Sequence, residues 1–226
     1  MMLPKAYRLL IIAALLLTLP ACADVFTYSA DPIEARVIDA ETKQPLAGVV
    51  VVAHWQLERG TVGGNVLAGQ LVVMEAVTDG QGRFSFAAWG PKRAYDAVLI
   101  AEDPQLIFFK SGYEYRILSN TYTTQREQRL RERRYSEWNG KTIVLNPYDK
   151  TSQAYATYLG GSFRPALRFV FEDDHWKSTP CLLLTLDHKA RELGYNNVTK
   201  LMSVPNLMRE EAITRFMKGE AACEKP

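Results

Sequence analysis

The densest group of reactive side chains is Glu172-Asp173-Asp174-His175-Trp176, with Asp187 and His188 downstream. Cys181 and His188 stand seven residues apart, so a helix would put them on one face. With His175 and Cys223 they have the composition of a Cys2His2 zinc site, in which thiolate sulfur and imidazole nitrogen bind the metal. Their spacing matches no standard zinc module. A second arrangement uses the same residues structurally: a polar connection leads into a helix, and Asp187 pairs with Arg191 one turn on. In an oxidising compartment Cys181 and Cys223 would pair as a disulfide, and that excludes zinc because both uses consume the same thiols. Two independent buried thiols are the third possibility. The disulfide is the expectation. Closing a segment of about 40 residues would contribute about 4 kcal/mol. No metal or other cofactor is expected.

The other candidates for chemistry are sparser. His54 sits beside Trp55 at a strand end and reads as a hydrogen-bonded structural histidine. There is no Gly-x-Ser-x-Gly, no His-Glu-x-x-His and no phosphate-binding Gly-x-x-x-x-Gly-Lys, so the common motif routes to hydrolysis and phosphoryl transfer are closed. Gly160-Gly161-Ser162-Phe163 reads as a glycine-rich loop with a serine. Aromatic residues offer a binding surface instead. Trp89 lies in a turn-like Ala-Ala-Trp-Gly-Pro-Lys stretch, and Tyr113 and Tyr115 alternate as if on one strand face. Rings with polar handles suit sugar or protein recognition.

The N-terminus sets the compartment. Lys5 and Arg8 precede an apolar run from Leu9 to Leu19, which has the length of a secretory core and is short for a bilayer span. Residues 1–22 are therefore expected to be a signal peptide. Leu19-Pro20-Ala21-Cys22 resembles the lipobox of bacterial lipoproteins, which implies lipidation of Cys22. Ala23 after the cysteine then implies release from the inner membrane to the outer one. Ala21-Cys22-Ala23 also fits ordinary signal peptidase. The full chain carries 27 Lys+Arg and 25 Asp+Glu, and residues 1–23 hold two of the basic groups and no acidic one, so the mature chain has 25 of each. A neutral domain lacks the basic excess that phosphate backbones require. No nucleic acid partner is expected. The expected locale is the periplasm or outer membrane, with attachment through a lipid anchor.

These side chains must be held by a mostly β framework. Val49 to Trp55 is a short β-branched run, as in a strand buried on both faces or lying in a sandwich core. Asp39, Pro45 and Gly48 supply turn chemistry before it. Leu71 to Val77 is followed by Thr78-Asp79-Gly80-Gln81-Gly82-Arg83, a hairpin signal. Phe84 and Phe86 then alternate onto one face. Residues 97–101, 106–110 and 141–145 complete a set of short strands spaced as in a β-sandwich. The segment 119–138 is rich in arginine. It reads as a solvated helix or loop, with Glu127 and Arg131 as a helical pair, or as an anion- or lipid-headgroup patch.

The matching positions Asp39, Thr42, Pro45, Leu46, Gly48, Thr78, Asp79, Gly82, Phe84, Gly112 and Tyr113 resemble the carboxypeptidase-regulatory-like family over residues 33–148. The resemblance implies a transthyretin-like, seven-stranded β-sandwich. In metallocarboxypeptidases that bear this domain it accompanies the catalytic domain and carries none of the zinc ligands. This chain differs by two insertions, Gln56 to Gln70 and 119–138.

After Tyr148 the pattern turns helical. Thr179 reads as an N-cap, Pro180 as the first helical residue and Gly194 as the stop, with Leu182, Leu186, Ala190 and Leu193 as the apolar stripe. In the next helix Met208, Ala212 and Phe216 should face inward, with Gly219 past its end. The organisation expected is a signal peptide at 1–22, a mainly β sandwich at 24–150 and a small helical extension at 151–226. The functional expectation is a non-enzymatic envelope module, binding or structural, that recognises a protein or polysaccharide partner. The alternative is a metal-dependent or hydrolase-like enzyme with a site around His175 and His188.

Overall fold

The computed structural model describes residues 25–121, 132–171 and 173–218. They form a β-sandwich followed by a helical layer. The strands are β1 (Val25–Ala30), β2 (Ile33–Asp39), β3 (Val50–Thr61), β4 (Gly64–Val77), β5 (Arg83–Phe86), β6 (Trp89–Tyr95), β7 (Val98–Leu99), β8 (Gln105–Phe109), β9 (Arg116–Leu118), β10 (Arg133–Arg134) and β11 (Thr142–Leu145). One sheet has the order β11-β2-β5 and the other β4-β3-β8-β9. Among the described residues, β7 pairs with β3 further along it as a fifth strand of the second sheet, and β1, β6 and β10 form a separate three-stranded ladder.

The two sheets differ because their sequences differ. In β2, Ile33, Ala35 and Val37 are buried while Glu34 and Arg36 are exposed, and β5 alternates in the same way at Phe84 and Phe86. That period of two leaves the outer face of β11-β2-β5 in water. β3 has no such alternation. Val51, Ala53 and Trp55 point into the sandwich core, whereas Val50 and Val52 join the core beneath the helices. β8 divides likewise, with Leu106 and Phe108 on one side and Ile107 and Phe109 on the other. The sheet is covered on both faces, which is why its strands read as unbroken apolar runs.

Gln56 to Gln70, which the sequence suggests is an insertion between strands, is a continuation of the strands themselves. β3 and β4 pair from Val50↔Val77 out to Thr61↔Gly64, with register shifts at Trp55/Gln56 and Gln56/Glu58. Gly64 and Gly69 take positive φ (+114° and +98°), and glycines of this kind mark bulged, irregular strand rather than loop. Every residue from Arg59 to Leu67 is exposed, so the outer hairpin stands clear of the sandwich.

The motif residues form a network of turns. Asp39 accepts the amides of Glu41 and Thr42 at 2.8 Å each. The Thr78 hydroxyl donates to Leu46 O at 2.7 Å and accepts the Val49 amide at 2.9 Å. Asp79 accepts the amides of Gln81 (2.8 Å) and Arg83 (2.9 Å). Gly82 has φ +70°, the left-handed conformation expected of a glycine there.

The helical layer contains α1 (Ser152–Thr157), a π-helical turn (Tyr158–Phe163), a 3-10 turn (Arg164–Leu167), α2 (Arg168–Phe171), a second 3-10 turn (His175–Ser178), α3 (Pro180–Glu192), α4 (Val198–Leu201) and α5 (Leu207–Met217). Gly160-Gly161-Ser162-Phe163 is thus helical rather than a loop. A Cβ on Gly160 would lie 2.8 Å from Leu201 O, so this glycine lets α4 approach closely. Phe163 is fully buried and stacks on Phe109 (5.5 Å) and Tyr115 (4.2 Å). Burial of a ring of this size stabilises by about 1.5–3 kcal/mol. In α3, Leu182, Leu186 and Ala190 are buried as the stripe requires. In α5, Ala212 and Phe216 pack against the core as expected, beside the fully buried Ile213, whereas Met208 in the first turn is 81% exposed. Gly219 lies outside the described residues. No helix among the described residues is long and apolar enough to cross a membrane.

The arginine-rich segment is only partly solvated. Glu127 and Arg131 lie outside the described residues, but Arg134 is 2% exposed. Its guanidinium donates to Ile100 O (3.1 Å) and Leu99 O (3.2 Å) and lies over the Tyr28 ring at 5.4 Å. Asp103 is buried beside it and accepts the Gln56 amide. Burial drives the Asp103 carboxyl well above the usual range, partly offset by that bond and by the Arg134 charge. A side chain that reads as surface charge is here a cross-brace within the fold, its charge delocalised and both terminal nitrogens met by backbone carbonyls.

Candidate functional site

The structure separates most of the residues nominated from sequence. His54 is 1% exposed, with Nδ1 3.0 Å from Gln70 Oε1 and Nε2 3.1 Å from Gln105 Oε1. Its ring stacks on Phe169 at 4.2 Å and 13°. Burial lowers its pKa, so the imidazole is held neutral. This is the hydrogen-bonded structural histidine expected. His175 opens a 3-10 turn and is half-buried, which lowers its pKa as well. His188 is exposed on α3. Asp187 pairs with Arg191 at 2.9 Å, as its spacing requires, and also accepts the Val198 amide at 2.9 Å, which ties α3 to α4. Among the described residues, no three His, Cys, Asp or Glu side chains are grouped to hold a metal. Glu172 and Cys223 lie outside the described residues.

The three candidate binding aromatics do not form a surface. Trp89 belongs to β6 rather than to an exposed turn, and meets Trp55 edge-on at 5.2 Å against the sandwich core. Tyr113 and Tyr115 point to opposite cores rather than one face, because the chain there is a turn and an isolated bridge, not a regular strand. Tyr113 donates to Asp39 Oδ2 at 2.7 Å. Burial first, then that bond, pushes its phenol up to about 12. Tyr115 donates to Ser162 O at 2.9 Å and stacks on Tyr158 (4.8 Å) and Phe163. Each is partly buried and packs against one of the two cores.

One polar residue was missed. Glu75 lies on β4, and its carboxylate accepts the amides of Cys181 (2.8 Å) and Leu182 (2.7 Å). It caps α3 across the sheet, satisfying donors that the helix cannot. Thr179 makes no such bond; its hydroxyl contacts His175 O and Trp176 O at 3.4 Å. Burial raises the Glu75 carboxyl to about 7 against the pull of the two amides. A lone acid in Leu-Val-Val-Met-Glu-Ala-Val is the signal that could have found it.

Cys181 sits in the first turn of α3, its amide held by Glu75. Mass spectrometry of unreduced, alkylated protein is expected to yield a Cys181–Cys223 cross-linked peptide and no stoichiometric zinc. Two alkylated cysteines with one zinc per chain would instead favour the metal site.

The open surface lies elsewhere. A cleft of about 610 Å3 is lined by Glu34, Arg36, Arg83, Ser85 and Thr142 of β11-β2-β5 and continues to Ala76, Val77 and Asp79 at the end of β4 and the turn after it. Its size is that of a small-ligand or oligomer-segment site. The register sets the pattern: Arg36 is directly opposite both Arg83 and Thr142, and Glu34 is opposite Ser85. Adjacent strands lie about 4.8 Å apart, so two guanidiniums, an acid and two hydroxyls share one small area. Like charges directly opposite on a sheet are unfavourable. Arg36 donates from Nε to Gln81 O at 3.2 Å, and Arg83 faces the Asp79 carboxylate across the same cleft, so each guanidinium is partly offset.

No family model and no curated protein matches the chain. Among solved structures, 3-chlorocatechol 1,2-dioxygenase from Rhodococcus opacus 1CP is similar at 16% identity and TM-score 0.30, covering 55% of this chain and 62% of that one. The pilus 2b backbone protein of group B streptococcus is similar at 16% identity and TM-score 0.27, covering 53% and 42%. The shaft pilin SpaA of Lactobacillus rhamnosus GG is similar at 14% identity and TM-score 0.25, covering 55% and 47%. This chain therefore spans less than two thirds of each of these proteins. Nothing about activity follows from likenesses of this size.

Proposed function

We propose that this chain is a non-enzymatic module of the cell envelope, of the carboxypeptidase-regulatory-like type, that recognises a protein or polysaccharide partner through the outer face of β11-β2-β5. The carrying observation is the directly opposed pair Arg36 and Arg83 beside Ser85 and Thr142. Two exposed guanidiniums kept side by side on a rigid sheet are relieved by a shared carboxylate, sulfate or phosphate, and flanking hydroxyls suit a polyhydroxylated chain. The family reading is supported by the turn network of Asp39, Thr78, Asp79 and Gly82, which uses the motif residues as architecture. Export and lipid anchoring are supported by the N-terminal sequence alone.

The test is affinity electrophoresis through gels carrying purified envelope polysaccharides, alongside cross-linking in intact cells. The wild-type chain should be retarded by an acidic polysaccharide or yield a protein adduct. The double variant Arg36→Ala, Arg83→Ala should weaken that interaction by about tenfold or more, since each charged hydrogen bond carries about 1.5–3 kcal/mol. Identical behaviour of the two chains in both assays would defeat the reading.

A further inference from the structure

We infer that the end of the molecule formed by the β3–β4 hairpin tip, the start of β1 and the end of β6 rests on a phospholipid bilayer surface. This rests on the reading of an exported chain anchored at Cys22 and says which way the anchored module faces.

Five of the eight large hydrophobic side chains exposed among the described residues lie at this end: Val25, Val62, Val66, Leu67 and Tyr95. Val62 is fully exposed, Leu67 55% and Tyr95 59%. The register brings them together. Val25 is the cross-strand partner of Tyr95, and Val66 is the partner of Arg59. Arg59 bridges the two elements, donating to Asp96 O at 2.8 Å and meeting the Asp96 carboxylate at 3.2 Å. From Arg59 to Leu67 the chain reads Arg-Gly-Thr-Val-Gly-Gly-Asn-Val-Leu. Its single charge is therefore the one paired with Asp96.

A projecting, nearly uncharged hairpin with bare apolar side chains is a liability in water and calls for a covering surface. Two observations choose the bilayer. First, Cys22 precedes Val25 by three residues. Three residues reach about 10 Å at most, so a lipid on Cys22 draws this end, and no other, to the membrane. Second, the chemistry is graded for an interface. Val62 lies in the hairpin turn with Val66 and Leu67 behind it on β4, Tyr95 ends β6, and the exposed Lys92 and Arg93 precede it on that strand. Tyrosine favours the boundary of acyl chain and headgroup, and cations favour the anionic headgroups.

The experiment places a tryptophan at the tip. Full-length Val62→Trp protein, processed in cells and purified from membranes, is reconstituted into phosphatidylethanolamine–phosphatidylglycerol vesicles with and without brominated acyl chains. Met208→Trp, exposed on the helical layer, is the control, and the parent protein supplies the background of native tryptophans. Tip emission should shift to the blue and lose about half its intensity to bromine, as for a side chain entering the boundary region, while the control is unchanged. Protein that floats with the vesicles but shows equal quenching at Val62 and Met208 overturns the inference and leaves the anchoring intact. A blue shift that grows with protein concentration in the absence of lipid assigns the tip to a second copy of the chain and also overturns it. Protein that does not float overturns both readings, by a signal independent of quenching.

Discussion

Gly82→Val is expected to destabilise the sandwich by about 3–5 kcal/mol, combining a disfavoured backbone conformation with overpacking. Gly82 has φ +70°, and a Cβ there would lie 2.3 Å from Val37 O and 3.1 Å from Leu46 N. Neither neighbour can yield freely. Val37 N donates to Gly82 O at 2.7 Å, and Leu46 N donates to Val37 O at 3.0 Å. The glycine thus occupies the crossing of the β4–β5 hairpin, β2 and the turn leading to β3. Denaturant titration of the variant should show a midpoint far below the parent with little change in slope. An unchanged midpoint would refute the crossing described here. Gly82→Ala removes the added bulk but keeps the Cβ clash and the strained φ, so it should retain much of the loss.

The second large effect belongs to Glu75. Its folded carboxyl, raised to about 7, titrates above its ordinary 4.5. Between those values the folded chain holds a proton that the unfolded chain has released. Glu75 therefore contributes fully below about pH 4.5, and its contribution is lost as pH rises to about 7, a swing of up to about 3 kcal/mol. His54 and His175 act oppositely: burial lowers both, so stability falls as pH drops through the ordinary histidine range. The difference in stability between parent and Glu75→Gln isolates the carboxyl. It should slope across pH 4.5–7 and be flat above, with the glutamine still able to accept one amide. Glu75→Ala should lower stability by about 1–3 kcal/mol below about pH 4.5, because the amides of Cys181 and Leu182 lose their acceptor in a buried setting, and by less as pH rises to about 7. A parent and a Glu75→Gln chain with superimposable pH profiles would show that the carboxyl does not titrate in this window.

What could be read from sequence follows from how local each signal is. Turn chemistry is local: Asp39, Thr78, Asp79 and Gly82 announce their geometry within a few residues, and the structure places them as read. The stripe of α3 is equally local, and Leu182, Leu186 and Ala190 are buried. Signals that depend on a distant partner were lost. Glu75 meets residues more than a hundred positions away. Arg134 finds carbonyls on the far side of an insertion. The outer hairpin was hidden because glycines broke its pattern while its partner strand continued. Tyr113 and Tyr115 look alike in sequence, but a turn divides them between two cores. The charged cleft is invisible in sequence because Arg36 and Arg83 become neighbours only through strand register.

The double-faced sheet has a consequence for how this chain can be divided. Val50, Val52, Ile107 and Phe109 are all at 2% exposure or less, and the helical layer contributes the other side of their core. A fragment ending near residue 150 would turn that face of β3 and β8 outward as one contiguous apolar sheet, the kind of surface that associates with copies of itself. The sandwich is therefore not a transplantable cassette: the helices are its missing wall, and the smallest unit that should behave in solution runs through α5.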